Sequence, residues 1–358
     1  MTTKPADIAP PSPPTALEWV RKNLFSNWFN SLLTILGMTV VYFALVGVGS
    51  WVINTADWRP VTVAPLLFMI GQYPREELWR VGLSVLTITF LVGMSWGVWK
   101  QYMRPFAIFL GIVFAVLAVV PLETETITLP IRVFMLVNSL VIYLGFRIGK
   151  LKAVHGRYVA LIWLVALLLI PLVILPGFPG SSLMPRVETT VWGGLLITLL
   201  LSVGGIVLSF PIGVLLALGR RSSLPVVKLF SILFIEVVRG VPLVTILFMF
   251  SVILALFLPA ESRIDRVIRA LMGTVVFSAA YMAENVRGGL QAIPPGQIEA
   301  AKAVGLKNYQ ITILIVLPQA LRLVIPTIVG QFISLFKDTT LVYIVGINDL
   351  RGIGNAVF

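Results

Sequence analysis

Apolar runs long enough to cross a bilayer recur along the whole chain, and they fix the fold class before any motif is read. They lie near Leu32–Ile53, Val81–Trp99, Phe106–Val120, Val133–Phe146, Tyr158–Leu175, Trp192–Leu218, Val241–Leu258, Ile268–Tyr281 and Ala320–Phe336. A helix needs about 20 apolar residues to cross the hydrocarbon core. No water reaches that depth, so every backbone N–H and C=O must find its partner within the protein. Two runs are short, Phe106–Val120 with 15 residues and Val133–Phe146 with 14, and for these re-entry competes with crossing. The expectation is an all-α polytopic membrane protein of about nine spans. Only 12% of residues are charged, against roughly 25% in soluble domains.

Several chemistries are excluded. The chain has no cysteine, so disulfides, thiolate nucleophiles and Cys-ligated zinc are absent. Its one histidine, His155, lies in the basic loop Arg147–Arg157 and reads as solvated rather than catalytic or metal-binding. A phosphate loop needs GxxxxGK[ST]. The nearest text, Gly145 to Leu151, is one residue short in its first gap and lacks Ser or Thr after Lys150. This chain therefore supplies no ATP site.

The formal charge of +12 reports topology rather than nucleic acid. With the N-terminus in the cytoplasm and nine alternating crossings, the inner segments hold 17 of the 27 basic residues and 5 of the 15 acidic ones. The outer segments balance at 10 and 10. That asymmetry follows the positive-inside rule. Membrane lipid is the expected surroundings, and nucleic acid is not an expected partner.

The chain divides into three stretches. Residues 1–16 carry five prolines and read as a disordered tail without the features of a signal peptide. Asn23–Asn30 reads as an amphipathic interfacial approach, with Trp19 and Trp28 as anchors, so residues 1–30 precede the first span. A proline- and glycine-rich break over Leu175–Glu188 marks a boundary. It separates an N-terminal accessory transmembrane region, 31–187, from a C-terminal region, 188–358.

The polar stretch Glu284–Pro318 lies between two spans, yet it is not loop-like throughout. Ile298–Val304 is rich in strong helix formers, Pro294, Pro295 and Gly296 precede it, and Gly305 follows where a helix C-terminal glycine belongs. The pattern predicts a short capped helix on the cytoplasmic face. Its small residues Ala300, Ala301, Ala303 and Gly305 suit close approach of another subunit.

Glu299-Ala300-Ala301, then Gly305, Ile315 and Leu317-Pro318 resemble the EAA loop of ATP-binding cassette importer permeases at every fixed position. Glu236–Leu243, Ala280–Gly289 and Phe336–Leu341 are similar to the ExxRGxPL, AYxxExxRGG and KDT/SxL segments of polar amino acid permeases. The long N-terminal part, with the phrases ALGRRSSLPVV and FKDTTLVYIVG, looks most like the larger second permease of general L-amino acid importers. The resemblance covers roughly Glu188–Leu350. It departs at Ile246, where many members carry Gln, and members continue past the KDT segment into a further span.

The resemblance implies a type I importer permease core over 188–358, with a coupling loop at 285–318. Glu299, Ala300, Ala301, Gly305, Leu317 and Pro318 would engage the ATPase. It further implies an ATP-binding subunit dimer carrying ATP-Mg, a second and different permease chain, and an extracytoplasmic amino acid-binding protein. The place would be a bacterial inner membrane, with no cofactor in this chain.

Ionisable groups inside spans are costly and usually face a cavity or a partner. Glu236 and Arg239, and likewise Glu284 and Arg287, stand three apart and share a helix face. The first pair reads as an interfacial ion pair. Glu284 reads either as a helix-end pair or as a cavity carboxylate for a substrate ammonium. Asp338, with Thr339, Gln331 and Tyr281, completes the expected substrate site. On residues alone, an ATP-coupled transport subunit and an ion-gradient-driven amino acid transporter using Glu284 and Asp338 both remain open.

Overall fold

The computed structural model describes residues 15–59, 62, 64–119, 129–259 and 264–357. The expected tail falls outside them up to residue 14. Two compact units are present, Met1–Arg59 and Pro60–Phe358.

In the first unit, α1 (Ala16–Asn23) starts at a capping box: the Glu18 N–H donates to the Thr15 hydroxyl and the Thr15 N–H to the Glu18 carboxylate. Within the expected approach, Asn23–Asn30, the first helix ends at Asn23. Asn27 then accepts from the Asn30 N–H at 2.8 Å and begins a new helix. That helix, α2 (Trp28–Thr55), is long and apolar, and none of its hydrophobic window is buried within the protein.

The second unit begins with a short helix, α3 (Pro65–Ile70). The accessory region follows with α4 (Leu78–Trp99), α5 (Arg104–Val119), α6 (Leu129–Gly149) and α7 (Gly156–Ile174). Helices α4 and α6 approach along glycine. A Cβ on Gly93 or Gly145 would strike the backbone carbonyl of Ile142 or Phe90, and Gly97 meets Gly149. The spaced glycines let the two backbones touch. Inside the seam the Thr89 hydroxyl donates to the Asn138 amide oxygen at 2.9 Å.

The C-terminal region comprises α8 (Gly194–Arg220), α9 (Pro225–Gly240), α10 (Leu243–Phe257), α11 (Arg266–Gln291), α12 (Pro295–Ala303), α13 (Asn308–Val345) and α14 (Leu350–Val357). The centre is α11, where Ala279, Ala280, Met282, Ala283 and Val286 are fully buried. Small residues bring its neighbours close: a Cβ on Gly213 would lie 2.6 Å from Met282, and one on Gly289 would lie 2.6 Å from the Ala320 carbonyl. Between α9 and α10 the chain bends by 106°. Pro242 has no N–H to give and forces Val241 into extended backbone, φ −109° and ψ 133°.

Seven helices among the described residues are long and apolar enough to cross a membrane, or eight if the bent pair α9–α10 forms one span. The expected short run Val133–Phe146 lies within 21 residues of helix, Leu129–Gly149. Arg132 and Arg147 extend that helix at its two ends, where long basic side chains reach the interface. Phe106–Val120 does correspond to a shorter apolar helix, Arg104–Val119.

Candidate functional site

Helix α12 is held at both ends and anchored on one side. Pro295 sits in its first turn, where a missing N–H costs nothing. At the other end Gly305, φ +80°, donates to the Lys302 carbonyl at 2.9 Å, and Leu306 donates to the Ala301 carbonyl at 3.2 Å. This double bond with a left-handed glycine is a Schellman closure. Ile298, Ala301 and Leu306 turn inward onto a cluster that includes Ile293, Ile311 and Val316. Glu299, Ala300, Lys302 and Ala303 face out, and Val304 is 76% exposed. The expected small-residue face is thus corrected at one position. Ala301 is 6% exposed and belongs to the core, because i, i+3 spacing puts it beside Ile298.

Beyond α12 the chain enters a wide turn over Ile311–Val316 before Leu317. Leu317 packs against the same cluster and Pro318 is exposed. The six motif positions therefore fall on the helix, its glycine cap and the part of α13 that follows its wide turn.

A second assembly lies where α8, α9 and α11 converge. Both Glu284 oxygens accept from Arg287 Nε at 2.9 Å. Glu284 Oε2 also lies 3.5 Å from Arg220 and 3.8 Å from Arg239. Arg220 in turn meets Glu236 at 2.9 Å. The guanidinium of Arg239 lies 5.4 Å from the centre of the Tyr281 ring, which packs on Phe277. The expected Glu236–Arg239 pair is corrected. Glu236 pairs with Arg220 and Arg239 turns toward Glu284, because α8 brings a third arginine that local spacing does not reveal. Three guanidiniums and two carboxylates leave one positive charge in excess.

Gln331, from α13, bonds to α11 and not to the charged groups, accepting from Asn285 at 2.6 Å and donating to the Ser278 carbonyl at 2.9 Å. Asp338 does not join the charged assembly either. Seven residues of helix separate it from Gln331, about 10 Å of axial rise. Among the described residues the Asp338 carboxylate, half-buried, makes no hydrogen bond or ion pair. Thr339 is 2% exposed and its hydroxyl donates to the Phe336 carbonyl at 2.8 Å. The sequence reading missed Arg220. Its signal is the first arginine after a long apolar run, closing a 27-residue helix.

Residues 209–355 match the family described as binding-protein-dependent transport system inner membrane component. The chain is 39% identical over 350 residues to the inner membrane amino-acid ABC transporter permease protein YhdY of Escherichia coli, covering 94% of this chain and 80% of that one. It is 36% identical over 386 residues to the glutamate/glutamine/aspartate/asparagine transport system permease protein BztC of Rhodobacter capsulatus, covering 98% and 86%. The glutamate/aspartate import permease protein GltK of Escherichia coli is 37% identical over 177 residues, covering 48% of this chain and 79% of its own. Alignments that cover 94% and 98% of the chain take in the accessory helices as well as the C-terminal region.

Proposed function

The chain belongs to the amino acid ABC transporter permeases, and from that premise we propose how its parts divide the work of import. It is a transmembrane subunit of an ATP-driven amino acid importer, and a separate subunit hydrolyses the ATP. An ion-gradient-driven mechanism is set aside with that membership.

Coupling falls to α12. The observation that carries this is its geometry: a helix fixed by Ile298, Ala301 and Leu306 on one side presents Glu299, Ala300 and Val304 on the other. An exposed apolar Val304 beside a carboxylate suits a groove in the ATP-binding subunit dimer, which holds ATP-Mg. The glycine cap and the packing of Leu306 and Leu317 on the cluster under α12 make its link to α13 stiff, so closure of the ATPase dimer displaces the spans rather than bending a loop. Glu299→Lys and Gly305→Asp should each lower uptake and substrate-stimulated ATP hydrolysis at least tenfold in the reconstituted importer. Unchanged coupling in both variants would sink the role.

Substrate passes two stations. Asp338 has a carboxylate free of arginine and takes the ammonium of the amino acid, with Thr339 beside it. Closer to α12, Tyr281, Glu284 and Gln331 form the second station. There the arginines held by Glu284 offer positive charge to a carboxylate. A single small zwitterion does not span the roughly 10 Å from Gln331 to Asp338, so the stations are used in turn. Asp338→Ala should lower uptake while the subunits still co-purify, and wild-type uptake would refute the assignment.

The same reading puts α12 and the N-terminus in the cytoplasm of a bacterial inner membrane. It adds a second, different permease chain and an extracytoplasmic binding protein. Co-purification of the assembled importer tests these partners together.

A further inference from the structure

A cavity of about 510 Å³ lies between the accessory helices and the C-terminal region, at the end of the bundle remote from α12. Its walls come from Val81 and Ile88 of α4, Leu168 of α7, Val203 of α8 and Leu271 of α11. The wall side chains at hydrocarbon depth are almost wholly aliphatic. The one hydroxyl among them, Ser84, is spent on the Arg80 carbonyl at 2.8 Å. The cavity opens sideways, because Leu168, Leu172, Leu199 and Leu208 line it and are also exposed on the surface of the bundle. The aliphatic part of this space offers water no partners, and in a bilayer the material beside it is acyl chain.

The mouth has a different chemistry. Arg186 and Glu188 line it as an exposed ion pair, 3.2 Å apart. Asp265 lines it too, accepting from Thr189 and from the Val267 N–H. The rim thus offers one cation and two carboxylates. Trp192, 4% exposed, closes the same end.

We propose that this cavity is a phospholipid site, holding an acyl chain between α4, α7, α8 and α11, with an amine-bearing headgroup at the rim. The phosphate would lie on Arg186 and the ammonium on Glu188 and Asp265. An anionic headgroup without an amine meets two carboxylates for one arginine and is disfavoured. The lipid then serves as the gasket through which the accessory helices follow or resist movement of α8 and α11.

The test uses the intact importer in nanodiscs of equimolar phosphatidylethanolamine and phosphatidylglycerol, followed by detergent extraction and native mass spectrometry. One phosphatidylethanolamine should stay with each copy of this chain. Val203→Trp, which fills the cavity, should lower that retention at least tenfold. Glu188→Lys lies on the exposed rim and leaves the packing intact; it should keep a bound lipid but shift it toward phosphatidylglycerol about tenfold. No retained lipid, equal retention in Val203→Trp, or equal retention of both lipids by the wild type would each overturn the proposal.

Discussion

Helices α4 and α6 meet along glycine, whereas α8, α9 and α11 add a cluster of charge to a glycine contact at Gly213. In the first seam the backbones touch at Gly93, Gly97, Gly145 and Gly149, and the polar contact inside it is the Thr89–Asn138 hydrogen bond. In the second, Glu284 is shared among Arg220, Arg239 and Arg287, and Arg220 is also taken by Glu236. A backbone-to-backbone seam has one good geometry, and a small separation forfeits its dispersion energy. A carboxylate among three guanidiniums has several pairings of similar energy, and such discrete alternatives are what a two-state rearrangement uses. The accessory helices are built to stay together and the C-terminal helices to re-pair.

The sharpest way to break this comparison is to overfill the glycine seam. Gly93→Leu places a side chain against the Ile142 carbonyl, with no flexible neighbour to yield. Overpacking of this kind costs about 3 kcal/mol. Thermal unfolding of the assembled importer should report it as a large loss of stability. If the accessory helices serve only as a rigid frame, the surviving complexes should still couple ATP hydrolysis to substrate. Intact stability in this variant would show that the seam is not close-packed.

Next in size is the charge cluster. Glu284→Ala leaves three arginines with Glu236 as the one carboxylate among them. Breaking a fully buried charge set costs about 3–5 kcal/mol. Glu284 is 21% exposed, and screening reduces this to about 2 kcal/mol. The readout that separates the two regions is uptake. Glu284→Ala should lose transport at temperatures where the complex remains assembled, while Gly93→Leu should lose both together. Equal losses of assembly and uptake in Glu284→Ala would remove the distinction.

Much of this was legible in the sequence, and the part that was not has a common cause. Each expected apolar run is helical over most of its length, since hydropathy acts through length alone. The glycine cap of α12 was legible because only the residue after the helix needs left-handed backbone, and Gly305 supplies it. Thr15 and Glu18 carry a capping-box spacing that marks the start of α1. The partner of Glu236 was not legible. The local rule offered Arg239, three residues on, and the structure uses Arg220 from the preceding helix. Gly145 and Gly149 were readable as a packing motif, but their complement, Gly93 and Gly97, lies 52 residues earlier at the same spacing. Nothing in a single sequence joins the two. Pairings within one turn follow from periodicity; pairings between helices follow from tertiary geometry.

The smallest effect lies inside the glycine seam. Thr89 is 1% exposed and Asn138 fully buried. The Thr89 hydroxyl divides its single hydrogen between the Leu86 carbonyl at 3.0 Å and the Asn138 amide oxygen at 2.9 Å. Asn138 donates its own N–H to the Phe134 carbonyl at 2.8 Å. Thr89→Val keeps the shape and removes the donor, which leaves a buried amide oxygen without a partner. Interhelical hydrogen bonds in membranes are worth about 0.6 kcal/mol on average and at most about 1.7, so the loss should be about 1 kcal/mol. Asn138→Leu in the same background removes the stranded oxygen and should restore part of that loss, because an apolar pair of similar volume leaves nothing unsatisfied. A double-mutant cycle read by thermal unfolding of the importer measures the coupling. A coupling near zero would mean that glycine contact alone holds α4 to α6. A coupling well above 1.7 kcal/mol would mean that the seam, like the charge cluster, depends on polar pairing, and the contrast between the two regions would fail.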